Sequence, residues 1–524
     1  MNMIPTAASG APRAAPLAPP LARALDFLVA DESAAATWVV GGGLRDRLSG
    51  RPVSDLDLVT AADALGTATR LAARMRGSLV VLDRARDIAR VVWSGAAGPV
   101  TLDLARLARP DLTGDLAARD FTVNALALPL AADVAELLQR GGAPLAARLT
   151  DPTGGLADLA DGRLRMVAEA NLDDDPLRLI RGVRLAAELG LSVDGATRRA
   201  ITARASSLSL PAPERLRQEL LRALASPRAG MALDLADAVG LLDVLFGELA
   251  AGRGVQQSLP HDRDVRRHSL DAAIGAAWLL GRIEGERTAP VPARLNLPPV
   301  FVAAVDAAAP DLAPFFAQAP TMDELPRRAW LLLGALLHDI GKVRTAQADP
   351  LSGRLRFPGH AEAGAQMTRV IARRLRACAP GVAYLEGMVR CHMLPLWLSS
   401  GPPLDGRIVH RYFRAAGELG VDAALFSLAD NAAKAPLETP GAERMAATFS
   451  SLMRAWFHER ERLVESRPAV DGRSLQAALG LAPGPQLGSL LSGLREAVAA
   501  GEVAADDAES ALAWARRRLP PAGA

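Results

Sequence analysis

Short apolar runs, separated by glycines and polar turns, dominate the first 130 residues of the chain. Residues 21–29 have helical spacing, and residues 37–40 form a β-prone run that ends at three glycines. Further β-prone runs lie at 56–59, 80–82, 90–93 and 100–104. Because strand-like and helix-like segments are mixed here, this part of the sequence predicts a small α/β domain built on a sheet.

The pattern changes after residue 150. Loop-forming residues occupy 151–155, and helical spacing is almost continuous from Asp175 onward. A stretch rich in Ala and Pro, 288–320, lies between helical segments at 268–280 and 328–337, and we interpret it as an inserted loop. The last eighty residues again have helical spacing. The fold class predicted is α+β, with a small mixed α/β head followed by all-α regions.

A chain of 524 residues is too long for one core, so several domains are expected. The predicted domains are a disordered Ala/Pro-rich tail (1–22), an α/β head (23–165), a helical neck (166–252), a helical domain that includes the insertion (260–440) and a helical C-terminal region (441–524).

The composition excludes several classes of protein. Half the residues are hydrophobic, 23% are charged and the net charge is +2, so any nucleic-acid contact must come from local basic patches. Arginine supplies nearly all the positive charge, and Lys342 and Lys434 are the two lysines. Cys378 and Cys391 are the two cysteines and lie in no CxxC pattern, which predicts a reducing compartment. Without a signal-peptide pattern, and with apolar runs such as 330–337 too short to span a bilayer, we expect a cytoplasmic protein with no membrane partner.

Three acidic residues form the first candidate site. Asp55 and Asp57 lie at i and i+2 in a β-prone run, so their carboxylates point to the same side of the strand. Asp103, in another β-prone run, is a candidate third carboxylate from a neighbouring strand. Such a cluster suits Mg²⁺, and it supports an in-line displacement at a phosphate. A solvated strand edge is the alternative for an isolated Asp-x-Asp pattern.

A glycine turn lies close to this pair in sequence. Gly41 and Gly42 follow a strand and precede a short helical segment, 44–48, a geometry in which backbone amides reach a triphosphate. Arg45 adds a forked cation beside the turn. The turn, the arginine and the Asp-x-Asp pattern together predict a site for a nucleoside triphosphate.

These motifs resemble those of one enzyme family. The segment from Val40 to Asp46, with Asp55 and Asp57, is similar to the signature of class II tRNA nucleotidyltransferases and bacterial poly(A) polymerases. Residues 119–127 resemble the next motif of that family, 151–159 its linker and 175–184 its base-selecting helix, so the resemblance covers about 25–250. Two positions depart from the family pattern, Ala118 and Asp174, and neither is assigned to the chemistry.

The resemblance implies further roles. Asp175 and Arg178, placed on one helix at i and i+3, would pair with an amino donor beside a ring-nitrogen acceptor, the edge that cytosine and adenine share. Uracil and guanine would leave buried polar groups unpaired. The residues implied near the triphosphate or nucleotide are Gly42, Arg45, Arg119, Arg181 and Arg184. The alternative for the three arginines of this helix is a solvated basic face.

All seven histidines follow residue 260, and several of them suit a metal site. The candidate ligands are His268, His338, Asp339, His360, His392 and Asp430. Imidazoles and carboxylates that converge from separate helices bind divalent metals. We interpret the remaining three, His261, His410 and His458, as packing or surface residues. The order of the candidate ligands resembles the HD phosphohydrolase superfamily over about 265–435, which implies a divalent metal and cleavage of phosphomonoesters or 2′,3′-cyclic phosphates.

The leading interpretation is therefore a template-independent nucleotidyltransferase that adds or repairs the CCA end of tRNA from CTP and ATP with Mg²⁺. A poly(A) polymerase, or an enzyme limited to CC or A addition, shares the motifs; residues 80–90 lack the basic signature that we associate with bacterial poly(A) polymerases. An HD phosphohydrolase acting on RNA ends or nucleotides is the alternative from another class. The sequence indicates no protein partner, and it does not distinguish these products, the HD metal or the oligomeric state.

Overall fold

The structure is a computed structural model, and it describes residues 17–31, 36–95, 98–318 and 325–519. The chain divides into two compact units, Met1–Pro211 and Ala212–Ala524. The first unit contains a mixed sheet with helices, and the second is almost entirely helical, as the predicted α+β class requires.

The first unit is built on a six-stranded sheet in the order β3-β4-β5-β2-β1-β6. Its strands and those of a two-stranded ribbon in the same unit are β1 (Thr37–Val40), β2 (Asp55–Thr60), β3 (Ser78–Asp83), β4 (Ile88–Gly95), β5 (Gly98–Arg106), β6 (Ala127–Pro129), β7 (Arg163–Leu164) and β8 (Ser192–Val193). Within the large sheet, β2 and β5 are parallel and the other neighbours are antiparallel. All five β-prone runs that the sequence predicted lie within β1 to β5.

Helices cover the sheet and continue beyond it. They are α1 (Pro19–Ala30), α2 (Gly42–Leu48), α3 (Ala64–Met75), α4 (Leu112–Ala117), α5 (Val134–Arg140), α6 (Gly142–Ala146), α7 (Gly155–Ala160), α8 (Glu169–Asp174), α9 (Leu177–Leu189) and α10 (Gly195–Ala203). The core under the sheet includes Leu21, Leu25 and Leu28 of α1.

The start of α1 corrects the predicted tail. Residues 1–16 of that tail lie outside the described residues, but α1 begins at Pro19, inside the range 1–22 that was expected to be disordered. Proline is well suited to the first turn of a helix, and the buried Leu17 and Leu21 attach this turn to the core. The Ala/Pro-rich composition therefore gave no indication that a helix begins here.

The second unit consists of helices and one short ribbon. Its elements are α11 (Pro213–Ala225), α12 (Ala229–Ala238), α13 (Leu241–Leu245), α14 (Gly247–Ala250), α15 (Val265–Ile283), α16 (Pro299–Ala317), α17 (Arg327–Leu337), α18 (Lys342–Thr345), β9 (Gln347–Ala348), β10 (Leu355–Arg356), α19 (His360–Arg374), α20 (Ala379–Cys391), α21 (Leu394–Ser400), α22 (Gly406–Ala416), α23 (Leu419–Ala432), α24 (Thr439–Phe457), α25 (Gly472–Leu479), α26 (Pro485–Ala499) and α27 (Ala508–Arg516). At its centre α15 packs against α17 and α23, and every residue of α17 is buried.

Helix α16 corrects the predicted inserted loop at 288–320. It begins with Pro299, tolerates Pro310 and Pro314, and buries one apolar face against α15, α17 and α24. This packing outweighs the cost of the two interior prolines, whose exposed positions lie away from the buried face. Within the described residues α16 is the one helix long and apolar enough to cross a membrane by length and composition, a test that core helices also pass.

The turn between β1 and α2 requires glycine. Gly41 has φ +77°, and a Cβ atom placed on it would lie 2.9 Å from Oδ2 of Asp57. A Cβ on Gly43 would lie 2.7 Å from Leu56 Cδ2. The turn thus packs directly against β2, and no larger residue fits at Gly41 without moving the Asp57 carboxylate.

We predict that Gly41→Ala destabilises the first unit more than Gly50→Ala does. Gly50 also has a positive φ, +71°, but nothing lies within 4 Å of its Cβ position. The control therefore measures the backbone cost alone, about 1 kcal/mol, and Gly41→Ala adds the clash with Asp57, for a total of about 2–4 kcal/mol. Thermal and urea unfolding would measure both; equal losses for the two variants would contradict the assigned packing.

Candidate active site

The centre of the large sheet brings two acidic residues side by side. Strands β2 and β5 are parallel and pair Asp57 with Asp103 in register. Asp55 lies two residues before Asp57 on the same strand, so its side chain faces the same side of the sheet. Asp55 is exposed, and the other two carboxylates are half-buried. The position of Asp103 on a neighbouring strand agrees with the expectation from sequence, and its role as a ligand stays a prediction.

An arginine holds the third carboxylate. Arg90 on β4 lies opposite Asp103, and its Nε and Nη2 donate to the two carboxylate oxygens at 2.7 and 2.8 Å. The pair is partly exposed, so it contributes modestly to stability, but it fixes the orientation of Asp103 beside Asp57. The sequence did not indicate that Arg90 belongs to the site. The β-prone run 90–93 placed it on a strand, but nothing indicated its partner.

The cluster repels its own negative charge. Burial, and then the charges of Asp103 and Asp55, raise the pKa of Asp57 to about 6, although Arg119 and Arg90 act in the opposite direction. A carboxylate that is costly to ionise beside two others gains most from a bound cation, and oxygen donors match a hard divalent metal. Asp55, Asp57 and Asp103 therefore fit a divalent metal.

Arg45 differs from the forked cation that the sequence suggested. Its Nε and Nη2 donate to the two carboxylate oxygens of Asp46 at 3.0 Å, and its Nη1 donates to Oδ1 of Asn124 at 2.5 Å. The residue is buried, so these bonds attach the glycine turn to the segment after Arg119. Gly42 contacts the same guanidinium, because a Cβ on Gly42 would lie 3.3 Å from Nη2 of Arg45. Arg45 is thus placed to position the turn.

The same segment connects the turn to helix α9. Asn124 donates from Nδ2 to Asp120 at 3.1 Å, and Arg181 on α9 donates to the other oxygen of Asp120 at 3.5 Å. Asp120 is buried and also accepts from the backbone N–H of Phe121. Asp120 and Asn124 therefore form a polar path between α2 and α9 that sequence analysis did not assign, although both belong to the motif at 119–127.

The structure changes the placement of the predicted base-selecting pair. Asp175 was expected on one helix with Arg178, but it follows α8 with extended backbone, and α9 begins at Leu177. The reason is Pro176, which disfavours the helical conformation of the residue before it. The backbone N–H of Arg178 still bonds to the carbonyl of Asp175 at 2.9 Å, so the two residues are one turn apart.

Arg178 and Arg184 have hydrogen-bond partners of their own. Nη1 of Arg178 donates to the carbonyls of Ala118 and Asn171 at 3.0 and 2.9 Å, and Arg184 pairs with Glu188 at 2.6 Å. Arg119 approaches the glycine turn, since its Nη1 lies 3.4 Å from the Cβ position of Gly41. Arg119 therefore lies beside the turn, and its charge acts to lower the pKa of Asp57.

In the second unit, the six candidate ligands of the HD pattern converge. They are His268 from α15, His338 and Asp339 after α17, His360 at the start of α19, His392 after α20 and Asp430 from α23. Nε2 of His268 lies 2.9 Å from Oδ1 of Asp430, and Nε2 of His360 lies 3.3 Å from Nε2 of His392. Five of these side chains are buried.

All four histidines of this group direct the same ring nitrogen, Nε2, toward the candidate metal site. The Nδ1 atoms of His338, His360 and His392 lie 2.6–2.9 Å from the carbonyl oxygen three residues upstream, and Nδ1 of His268 lies 3.3 Å from the carbonyl of Ala433. Such bonds leave Nε2 as the lone-pair atom, as in histidines that bind metals. Burial lowers the pKa of His392 to about 3, which keeps its ring neutral.

One buried nitrogen of this group of ligands, Nε2 of His338, makes no hydrogen bond within the described residues. Nε2 of His338 lies 3.1 Å from Oδ2 of Asp339 and 3.6 Å from Oδ1 of Asp430, without the geometry of a hydrogen bond. A buried nitrogen between two carboxylates is placed to share a cation with them. The residues present therefore fit a divalent metal.

A cavity of about 260 Å³ opens beside these ligands, and it corrects one assignment. His261, interpreted as a packing histidine, lines the cavity, and its ring lies 4.8 Å from that of His268. It precedes α15 in a loop, so helical spacing gave no signal for it. His410 bonds to the carbonyl of Leu463, and the exposed His458 pairs with Asp311, both apart from the cavity lining.

We predict that Asp57→Asn stabilises the metal-free first unit near neutral pH. The folded pKa of about 6 exceeds the ordinary value, so the folded state binds a proton that the unfolded chain has lost between about pH 4 and 6. Above about pH 6 the negative charge of Asp57 therefore destabilises the folded state by its full amount. In EDTA at pH 7.5 the midpoint of unfolding should rise by about 2–4 °C, and the gain should shrink at pH 4.5. Asp103→Asn, which breaks the Arg90 pair, is the control; a gain independent of pH would contradict the prediction.

Comparison with known proteins identifies the relatives of both units. Residues 37–165 match the family model of the poly A polymerase head domain, 190–252 match the probable RNA- and SrmB-binding site of polymerase A, and 309–432 match the HD domain. Among solved structures, a Thermotoga maritima CCA-adding enzyme complexed with tRNA has a TM-score of 0.58 at 19% identity and covers 95% of each chain. A CCA-adding enzyme complexed with ATP has a TM-score of 0.59, at 19% identity over 94% of this chain and 93% of the other. These likenesses show the fold.

Two curated relatives extend over nearly the whole chain. An A-adding tRNA nucleotidyltransferase of Deinococcus radiodurans is 33% identical over 89% of this chain and 92% of its own. A CC-adding tRNA nucleotidyltransferase of Thermus thermophilus is 34% identical over 88% of this chain and 90% of its own. With the carboxylate cluster, the glycine turn and the HD ligands in place, the chain belongs to the tRNA nucleotidyltransferase family and is an enzyme of that kind.

Proposed function

We propose that the head transfers nucleotides from CTP and ATP to the 3′ end of tRNA, and so adds or repairs the CCA terminus. The observation that carries this proposal is the in-register pairing of Asp57 with Asp103 directly against the turn at Gly41. It places candidate metal ligands and a candidate triphosphate-binding turn in contact. The proposed location is the cytoplasm.

The proposed mechanism is an in-line displacement. The 3′-hydroxyl of the primer attacks the α-phosphate of the incoming nucleotide, and pyrophosphate leaves. Asp55, Asp57 and Asp103 would hold Mg²⁺, which when bound would favour the deprotonated hydroxyl and neutralise charge on the phosphates. Arg90 keeps Asp103 oriented toward Asp57, and Arg119, next to the turn, is placed to contact the triphosphate.

Base choice is assigned to Asp175 and Arg178. Although Asp175 lies just before α9, the one-turn separation of the two residues keeps a carboxylate near a guanidinium. The Asp120–Asn124 path then connects α9 to the glycine turn. The residues proposed for base selection and for triphosphate binding are therefore held by the same hydrogen-bond network. The neck and helical regions beyond the head would contact tRNA through phosphates, which set position and not sequence.

The two full-length relatives favour a second product. One is named an A-adding enzyme and the other a CC-adding enzyme, so addition of only part of CCA is the alternative for this chain. The candidate site residues are the same for each product. Only analysis of the products therefore distinguishes addition of CCA from addition of CC or A.

The first experiment is primer extension with three tRNA transcripts: one lacking CCA, one ending in C and one ending in CC. With Mg²⁺ and labelled CTP, ATP or both, the wild type is expected to complete CCA and stop. Asp55→Ala should reduce incorporation by at least about a thousandfold, because the variant loses a metal ligand. Asp46→Asn, whose carboxylate holds Arg45 and not the metal, is expected to retain much more activity.

The products decide between the alternatives. Addition of CC alone, of A alone or of a long A tail would replace full CCA addition with the corresponding sister activity. Absence of incorporation by the wild type on all three transcripts would overturn the proposed function of the head.

For the second unit we propose a metal-dependent phosphohydrolase that acts on phosphomonoesters or 2′,3′-cyclic phosphates. The converging Nε2 atoms of four histidines support it, and among them Nε2 of His338 makes no hydrogen bond within the described residues. A bound divalent metal supplies an activated water. RNA ends damaged as cyclic phosphates would be a substrate shared with the head.

This activity is tested with 2′,3′-cyclic AMP and 2′-AMP in Mg²⁺, Mn²⁺, Co²⁺ or Ni²⁺. Hydrolysis is expected with at least one metal, and His338→Ala should abolish it because two carboxylates lose their shared ligand partner. His458→Ala, on the surface and outside the cavity lining, is the matched control. No hydrolysis of either nucleotide with any of the four metals would contradict the proposal.

A further inference from the structure

The two lysines of the chain lie in the same cavity. The sequence has 60 basic residues, and arginine supplies all of them except Lys342 and Lys434. Both lysines are buried, and both line the cavity of about 260 Å³ beside the candidate metal ligands. Among the residues that the structure describes, no arginine lines it. A random assignment of two lysines among the basic positions would seldom place both in one cavity, so a specific requirement for lysine is indicated there.

Each lysine contacts one candidate metal-ligating carboxylate. Nζ of Lys434 lies 2.6 Å from Oδ2 of Asp430, and Nζ of Lys342 lies 2.6 Å from Oδ2 of Asp339 and donates to Gln257 Oε1 at 2.7 Å. The other oxygen of Asp430, Oδ1, faces His268 at 2.9 Å. Lys434 therefore leaves the metal-facing oxygen of Asp430 available, while its ammonium group remains on the cavity wall.

The charges of these groups decide what the cavity attracts. Asp339 and Asp430 contribute two negative charges, the two ammonium groups cancel them, and the histidines are neutral when they bind through Nε2. A divalent cation then leaves the site with two positive charges, the charge needed to bind a phosphate dianion. Without the lysines the same cation would only neutralise the carboxylates, and an anion would gain little.

We propose that Lys434, together with Lys342, forms the phosphate-binding wall of this cavity and selects a doubly charged terminal phosphomonoester over a singly charged cyclic phosphodiester. This inference rests on the phosphohydrolase function proposed above and names its substrate class. An ammonium group is a compact charge with three donors, so it bonds a carboxylate and a phosphate oxygen at once. The larger, planar guanidinium would occupy much of so small a cavity.

The remaining walls limit the rest of the substrate. Leu259, Phe357, Met393 and Leu396 line the cavity, and Leu259 is 79% exposed at its opening. The volume of about 260 Å³ lies below the range of about 300–1,000 Å³ typical of ligand pockets. Apolar walls beside a phosphate wall suit the sugar or base of a terminal nucleotide whose phosphate enters the cavity.

The test measures anion binding and not turnover. The full-length protein, loaded with the metal that it binds most tightly, is titrated calorimetrically with inorganic phosphate and with singly charged dimethyl phosphate. The wild type is expected to bind phosphate more tightly. Lys434→Met and Lys342→Met should each weaken phosphate binding by about tenfold or more and reduce the preference for the dianion, with metal content unchanged.

Further variants and a measurement of folding keep the outcome specific. Lys434→Gln is made beside Lys434→Met, thermal unfolding verifies that each is folded, and Lys342→Met reports on the same wall. Lys434→Arg should keep more affinity than Lys434→Met, because it retains the charge. Phosphate affinities within twofold of the wild type in the folded, metal-loaded variants would overturn the proposal, as would a wild type that does not bind phosphate.

The inference and the hydrolase proposal fail in different ways. Lysine-dependent phosphate binding without hydrolysis of any ester would support the phosphate wall and contradict the hydrolase. Hydrolysis with phosphate binding that is insensitive to both lysines would support the hydrolase and contradict the phosphate wall.

Discussion

The parallel pairing of β2 with β5 is the constraint on which the head depends. It sets Asp57 and Asp103 in register at the centre of the sheet, where their charges repel and raise the pKa of Asp57. Two arginines partly offset that repulsion, since Arg90 binds Asp103 and Arg119 lies near Asp57. The turn at Gly41 packs against the Asp57 carboxylate. A divalent cation, as proposed for this site, would complete the arrangement. The sheet therefore stores unfavourable electrostatic energy that such a cation would relieve.

Arginine has two separate uses in this protein. Arg45 and Arg90 have their donors fixed on carboxylate or amide oxygens, so they stiffen the site, and a planar fork suits that task. In the cavity beside the candidate metal ligands of the second unit, the cationic side chains among the described residues are lysines. The contrast follows from the difference between a rigid fork that fixes geometry and a mobile point charge that can change partners.

The sequence predicted much of the fold because its strongest signals are local. The β-prone runs gave the strands, and period-two spacing gave the shared face of Asp55 and Asp57. The predictions were wrong where composition concealed packing, as in the Ala/Pro-rich segment that forms α16, and where Pro176 separates Asp175 from its helix. The partners of Arg45, Arg90 and His261 could not be predicted from the sequence, because only the tertiary structure brings these residues close to each other.

The near absence of lysine has a practical consequence for work with this protein. Reagents that acylate amines ordinarily modify a surface at many points, but here both ε-amino groups are buried in one cavity. Apart from the amino terminus, slow acylation of the folded protein would therefore report on access to that cavity, and a bound ligand would protect it. Likewise, a protease specific for lysine has no exposed site until the second unit opens, so its cleavage rate would follow local unfolding of that unit.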